Sequence, residues 1–166
     1  PNLEPIKPDH EDSYRAYCIC SCDSHRCGLC TSDVQQLGAN DRKSAALLVI
    51  NFMHICQAGF ELKDAYDEKQ LHKAGISINH AGKSYEVLRI RKSDARLYFT
   101  HLPNKIRLVA KILAKTSDDL TTGESNEIHN RIFDALNAIA QPSSFDERVI
   151  PWPPKYNPTG LLENYI

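Results

Sequence analysis

The sequence predicts an α+β domain: a helical hairpin packed on a small antiparallel β-sheet, closed by a C-terminal helix, with a cysteine-rich N-terminal extension. Three observations carry this reading. Ala45, Leu48, Val49, Phe52, Met53 and Cys56 recur at three- and four-residue spacing, the period of a helix with one apolar face. Three runs rich in branched and aromatic residues follow between positions 84 and 114, separated by turn residues. Thr121 and Glu124 then have the spacing of a capping box, ahead of another segment of helical period.

The elements follow in order. Residues 1–40 form the extension, 41–141 the folded domain and 142–166 a proline-rich tail. Asp41 or Ser44 is the expected N-cap of the first helix, and Gly59 its stop. A shorter helix is expected over 62–72, ending at Gly75, which completes the hairpin. Strands are expected over 84–92, 95–101 and 105–114, with turns at Ser93-Asp94 and at Leu102-Pro103-Asn104. The capped helix runs to about residue 140 and stops at Gln141-Pro142. In the tail, Trp152 and Tyr156 are expected to staple the chain onto the domain.

The net charge of -1 hides an uneven distribution. Residues 83–115 contain nine basic residues and two acids, whereas the rest of the chain has eleven basic residues and nineteen acids. Strand alternation places Arg89 and Arg91 on one face of the first strand, with Arg96, Tyr98 and Thr100 beside them on the second. On the third strand, alternation adds Arg107, Val109, Lys111, Leu113 and Lys115 to that face. The other face, including Ile90, Leu97, Phe99 and His101, is apolar enough to lie on the helices. A basic face of this size suits a polyanion, with Lys92, Lys111 and Arg107 as additional phosphate contacts. The alternative is an ordinary solvated strand surface. The longest apolar run, residues 45–50, stops at Asn51, and the N-terminus does not read as a basic-then-apolar leader. The chain is therefore expected in the cytoplasm and away from membranes.

Three stretches, "GFELKDAYDEKQL", "YEVLRIRKSDARLYFTH" and "VAKILAKTSDDLTTGESNEIHNRIFDAL", resemble the RelE/ParE superfamily of toxin–antitoxin proteins, particularly HigB-like and phage Gp49-like members, over about residues 45–140. Ala114 departs from the second Lys common in that family, and Leu120 from its usual Pro. The resemblance implies an endoribonuclease toxin that cleaves mRNA, commonly in the ribosomal A site, by attack of a ribose 2′-hydroxyl on the adjacent phosphate, with no cofactor needed for cleavage. By position, Arg89, Arg91, Arg96 and Lys115 match the family's basic positions. Tyr98, Lys111 and His129 are further candidates for proton transfer or base stacking; Tyr98 could equally pack the sheet, and His129 could be an exposed helix residue. The partners implied are mRNA, the ribosome and an acidic antitoxin protein. Other readings are a non-catalytic member of the same fold that binds a protein such as gyrase or an antitoxin, and a zinc-stabilised accessory protein of a phage or mobile element.

"CICSCDSHRCGLC" places Cys18, Cys20, Cys22, Cys27 and Cys30 within thirteen residues, with His25 among them. Such density in a cytoplasmic chain reads first as a structural Zn²⁺ site built on the Cys27–Cys30 knuckle. Reduced thiols and disulfides remain alternatives. Cys56, on the apolar stripe, reads as core.

Overall fold

The computed structural model describes residues 14–19, 29–103, 105–140 and 149–151. Strand β1 (Arg15–Ile19) leads into helices α1 (Leu29–Gln35), α2 (Ala39–Ala58) and the single turn α3 (Leu62–Ala65). A meander of β2 (Leu71–His80), β3 (Lys83–Lys92), β4 (Ala95–Leu102) and β5 (Ile106–Ala114) follows. Helix α4 (Thr122–Ala140) and the short β6 (Val149–Pro151) complete the described chain. The sheet order is β2-β3-β4-β5-β1-β6, with β2 to β5 antiparallel, β1 parallel to β5 and β6 antiparallel to β1.

The α+β class is as the sequence predicts, and β3, β4, β5, α2 and α4 lie close to their expected positions. The second helix of the hairpin does not. It lasts one turn, because Asp67 Oδ1 accepts hydrogen bonds from the backbone N–H groups of Lys69 and Gln70, both at 2.9 Å. An Asp side chain that captures the backbone in this way ends helices and makes turns. The chain then enters β2, where Gly75 at φ 75° accompanies a register shift between Lys73 and Ser77. The residues assigned to an N-terminal extension supply β1 and α1 to this same sheet and core, and the tail supplies β6. Trp152 and Tyr156 lie outside the described residues.

Each sheet face has its own helix. Against α2 lie Ile90, Leu97, Phe99, Val109 and Ile112, packed with Leu48, Val49, Phe52 and Met53. Against α4 lie Ile78, Val87, Tyr98, Leu108 and Ala110, packed with Ile128, Ile132, Ala135 and Leu136. Full burial of each large apolar side chain contributes about 1.5–3 kcal/mol, so both helices are held by their stripes. The Thr121 capping box forms: Thr121 Oγ1 accepts from the Glu124 N–H at 3.1 Å, and Glu124 Oε1 accepts from the Thr121 N–H at 2.8 Å.

The basic face is therefore not the open surface that alternation predicts. Helix α4 and the loop before it cover much of it. Arg89, Arg96, Tyr98 and Lys111 are buried. Alternation also fails along β5. Tyr98 pairs with Lys111 but Phe99 pairs with Val109, so Ala110 is an extra residue, a bulge that reverses the side-chain order across it. Arg107 and Val109 consequently face α2, while Leu108, Ala110 and Lys111 face α4.

Candidate functional site

Strand alternation and pairing register bring three guanidinium groups together. Arg89 and Arg91 sit two residues apart on β3; across on β4, Arg96 pairs with Arg91 and Tyr98 with Arg89. Like charges placed directly opposite repel one another, and the chain supplies a counter-charge from the loop after β5. Asp118 Oδ1 lies 3.2 Å from Arg89 Nη1 and 3.1 Å from Arg96 Nε, and its Oδ2 lies 4.0 Å from Arg91 Nη1. Arg96 Nη1 also donates to Ser93 O at 2.7 Å, which fixes this side chain to the β3–β4 turn. Arg89 and Arg96 are only 3% and 2% exposed, whereas the side chains of Arg91 and Asp118 are 37% and 48% exposed. The cluster is thus deep on one side and open on the other.

The electrostatics follow from burial. Burial lowers the Arg89 pKa, Asp118 opposes that shift, and Arg96 and Arg91 reinforce it. Tyr98 is pushed up to about 12, mainly by burial, with Arg89 and Arg96 pulling the other way. At neutral pH the phenol is a hydrogen-bond donor and not a base. Among the described residues its buried Oη has no hydrogen-bond partner, and neither does Arg89 Nη1, whose contact with Asp118 is poorly aligned.

No family profile, curated protein or solved structure matches this chain.

The remaining predicted site residues are dispersed. Lys111 Nζ donates to Asp33 Oδ1 at 2.9 Å and to Glu127 Oε1 at 3.1 Å. Arg131 forks onto both Asp33 oxygens at 2.8 and 3.1 Å, and reaches Glu127 Oε1 at 2.8 Å and Ala110 O at 3.0 Å. Asp33 Oδ2 also accepts from the Ile112 N–H at 3.0 Å, so α1 satisfies the edge of β5 beyond its pairing with β1. This is an internal network that ties α1, β5 and α4 together. Lys115 is held by Glu124 of the capping box. His129 stacks on Phe133, its i+4 neighbour on α4, whose ring in turn meets His80 of β2. Lys92 is exposed at the β3–β4 turn.

Arg107 leaves the expected basic face altogether. On the α2 side its Nη1 donates to Cys56 Sγ at 3.3 Å and its Nη2 to Phe60 O at 3.2 Å, and its guanidinium lies 3.6 Å from the centre of the Tyr14 ring. His101 ends the same face, exposed, with its ring 5.5 Å from Phe99.

Cys30 is buried at the start of α1, with Sγ 3.7 Å from Val109 O. The backbone of Cys18 is paired with that of Val109. Cys20, Cys22, Cys27 and His25 lie outside the described residues. Among the described residues, no three His, Cys, Asp or Glu side chains gather in a way that could hold a metal ion. No helix among them is long and apolar enough to cross a membrane.

Strand pattern alone does not show the acids: Asp33, Asp118 and Glu127 each meet a cation of the sheet, and Glu124 meets Lys115 just beyond β5. One signal was present. Residues 116–134 contain five acids and one basic residue directly after the basic strands. Opposite charge so close in the chain is available to fold back onto the basic strands.

Proposed function

We propose that this chain is an RNA-binding toxin of the RelE/ParE type, and that Arg89, Arg91 and Arg96 hold the phosphate at which mRNA is cut. The observation that carries this is the convergence of three guanidinium groups, from two adjacent strands, on one site open at Arg91. Attack of a 2′-hydroxyl on the neighbouring phosphate releases the hydroxyl proton to water, closes a 2′,3′-cyclic phosphate and expels the 5′-oxygen of the next nucleotide, which takes up a proton from water. Negative charge builds on the phosphoryl oxygens in the transition state. Guanidinium donors fixed in advance stabilise that charge without reorganising. Tyr98, protonated at neutral pH, would donate a hydrogen bond to a phosphate oxygen. The resemblance of residues 45–140 supplies the reaction class. In the same reading an acidic antitoxin covers the open side of the cluster, the ribosome presents the mRNA in the cytoplasm, and the cysteine segment binds a structural zinc ion.

The test is induced expression in bacteria with primer extension on total mRNA, comparing the wild type with Arg91→Ala. New mRNA 5′ ends that vanish in the variant are the expected result. One observation favours a second reading, in which the fold binds a protein target without catalysis. Lys111 and Lys115, two of the expected catalytic or RNA-binding cations, are each engaged by the chain's own carboxylates. Growth arrest with intact mRNA, or with supercoiling defects, would decide for that reading.

A further inference from the structure

The Arg cluster holds an ill-fitting anion. Asp118 Oδ1 is shared between Arg89 Nη1 and Arg96 Nε, and Oδ2 stands 4.0 Å from Arg91 Nη1, beyond hydrogen-bond distance. Two buried donors on this face, Arg89 Nη1 and Tyr98 Oη, lack an aligned acceptor, and they belong to residues directly paired across β3 and β4. Three guanidinium groups against one carboxylate leave an excess of positive charge. A planar carboxylate offers two oxygens to this set of donors. A tetrahedral phosphate group points its oxygens out of a single plane: a free phosphate offers more acceptors than a carboxylate, and a phosphodiester adds two ester oxygens to its two charged ones.

The carboxylate also sits where it can leave. Asp118 is half exposed, in a loop whose two ends are fixed separately. At one end the Lys115 N–H donates to Asp94 O at 2.9 Å; at the other, the Thr121 N–H donates to Glu124 Oε1 at 2.8 Å. Movement of the residues between need not disturb either anchor.

We propose that Asp118 is a resident stand-in for a phosphate group, and that a ligand phosphate displaces it to bind Arg89, Arg91, Arg96 and Tyr98. This rests on the reading of the cluster as an anion site and adds its regulation: the site is closed by its own loop until an anion of tetrahedral geometry competes for it. The cost of displacing Asp118 would screen out weak anions, and a partner's carboxylate taking the place of Asp118, as opposed to one covering the open side at Arg91, would gain little over it.

The experiment titrates the full chain with inorganic phosphate and, separately, with a short single-stranded RNA lacking terminal phosphates. Calorimetry gives affinity and amide NMR gives location. Asp118→Asn removes the competing charge and should tighten phosphate binding about tenfold, a factor equivalent to about 1.4 kcal/mol. Tyr98→Phe should weaken it severalfold. Unchanged or weaker phosphate affinity in folded Asp118→Asn overturns the proposal. Should that variant unfold, the wild type still decides: the Ser117 and Asp118 amide signals must shift on titration with phosphate, and signals that stay still overturn the proposal. If RNA shifts the same signals, a phosphodiester is the ligand; if only inorganic phosphate does, the exchange stands and the ligand is a free phosphate. Exchange with uncut bacterial mRNA would sink the endoribonuclease reading alone. Arg91-dependent cleavage with no tightening in Asp118→Asn would sink the exchange alone.

Discussion

Arg107 is fully buried, and among the described residues the groups it contacts are a thiol, a backbone carbonyl and the face of a tyrosine ring, not carboxylates. Glu61, the nearby acid, accepts instead from Tyr14 Oη at 2.9 Å. A planar fork that can stack and donate in several directions suits this place, and an ammonium does not. Arg107→Lys should therefore behave as a damaging substitution and lower stability by about 1–3 kcal/mol, the usual cost of leaving buried polar groups unpaired. Thermal denaturation would measure this, and phosphate affinity should not move, because Arg107 faces α2 and not the Arg cluster. Burial pushes the Cys56 thiol up, with Arg107 acting against it, so alkylation of Cys56 is expected only after unfolding. The chemical type of Arg107 is plain in the sequence, but its side of the sheet is not. Strict alternation assigns it correctly only if β5 has no bulge, and Ala110 carries no mark that distinguishes a bulge from an ordinary strand position.

At the scale of elements, the periodic segments were readable and the transitions were not. Eight buried residues along α2 repeat at helical spacing, and Gly59 ends the helix in the left-handed region at φ 72°, as expected of a C-cap glycine. The segment that becomes β2 misleads because the sequence around Leu62, Ala65 and Tyr66 continues a helical pattern, while Asp67 ends it through side-chain hydrogen bonds that depend on local geometry. The β2–β3 turn contains strain that can be tested. Ala81 at φ 50° and Gly82 at φ 76° are both left-handed, as a two-residue turn of this hand requires. Alanine is a poor occupant of that region, where asparagine is tolerated. Ala81→Asn should raise stability by about 0.5–1 kcal/mol, seen as a higher Tm. An unchanged or lower Tm would mean that the turn is not strained.

For the whole molecule, the decisive fact is that both faces of the sheet are covered. The sequence shows a strongly basic module in an acidic frame, and the frame folds onto the module. Burial raises the pKa values of Glu124 and Glu127, but contacts with Lys115 and the Thr121 cap in the first case, and with Lys111 and Arg131 in the second, more than offset it and leave both below their ordinary 4.5. A carboxylate with a lowered folded pKa stabilises the fold above its unfolded pKa, and that contribution is lost as pH falls through the folded value. Tm should hold from neutral pH down to the ordinary 4.5 and then fall, and Glu124→Gln with Glu127→Gln should flatten that acid limb.

The same internal pairing bears on the proposed RNA binding, whose salt dependence an open basic face would make steep. Lys111 and Lys115 already have carboxylate partners, and Arg89 and Arg96 become available only when Asp118 leaves. Arg91 and Lys92 are accessible charges at the end of β3 that lies beside the cluster. With about two to three phosphates neutralised, the log–log slope of affinity against salt should lie near -1.4 to -2 on a single strand, at about -0.7 per contact. Lys92→Ala should reduce its magnitude by about 0.7. Lys111→Ala should instead lower Tm and leave the slope alone, because its ammonium is bound inside the fold. A slope steeper than about -3 would mean that the internal ion pairs open to RNA. A slope near zero would remove the cluster as a phosphate site.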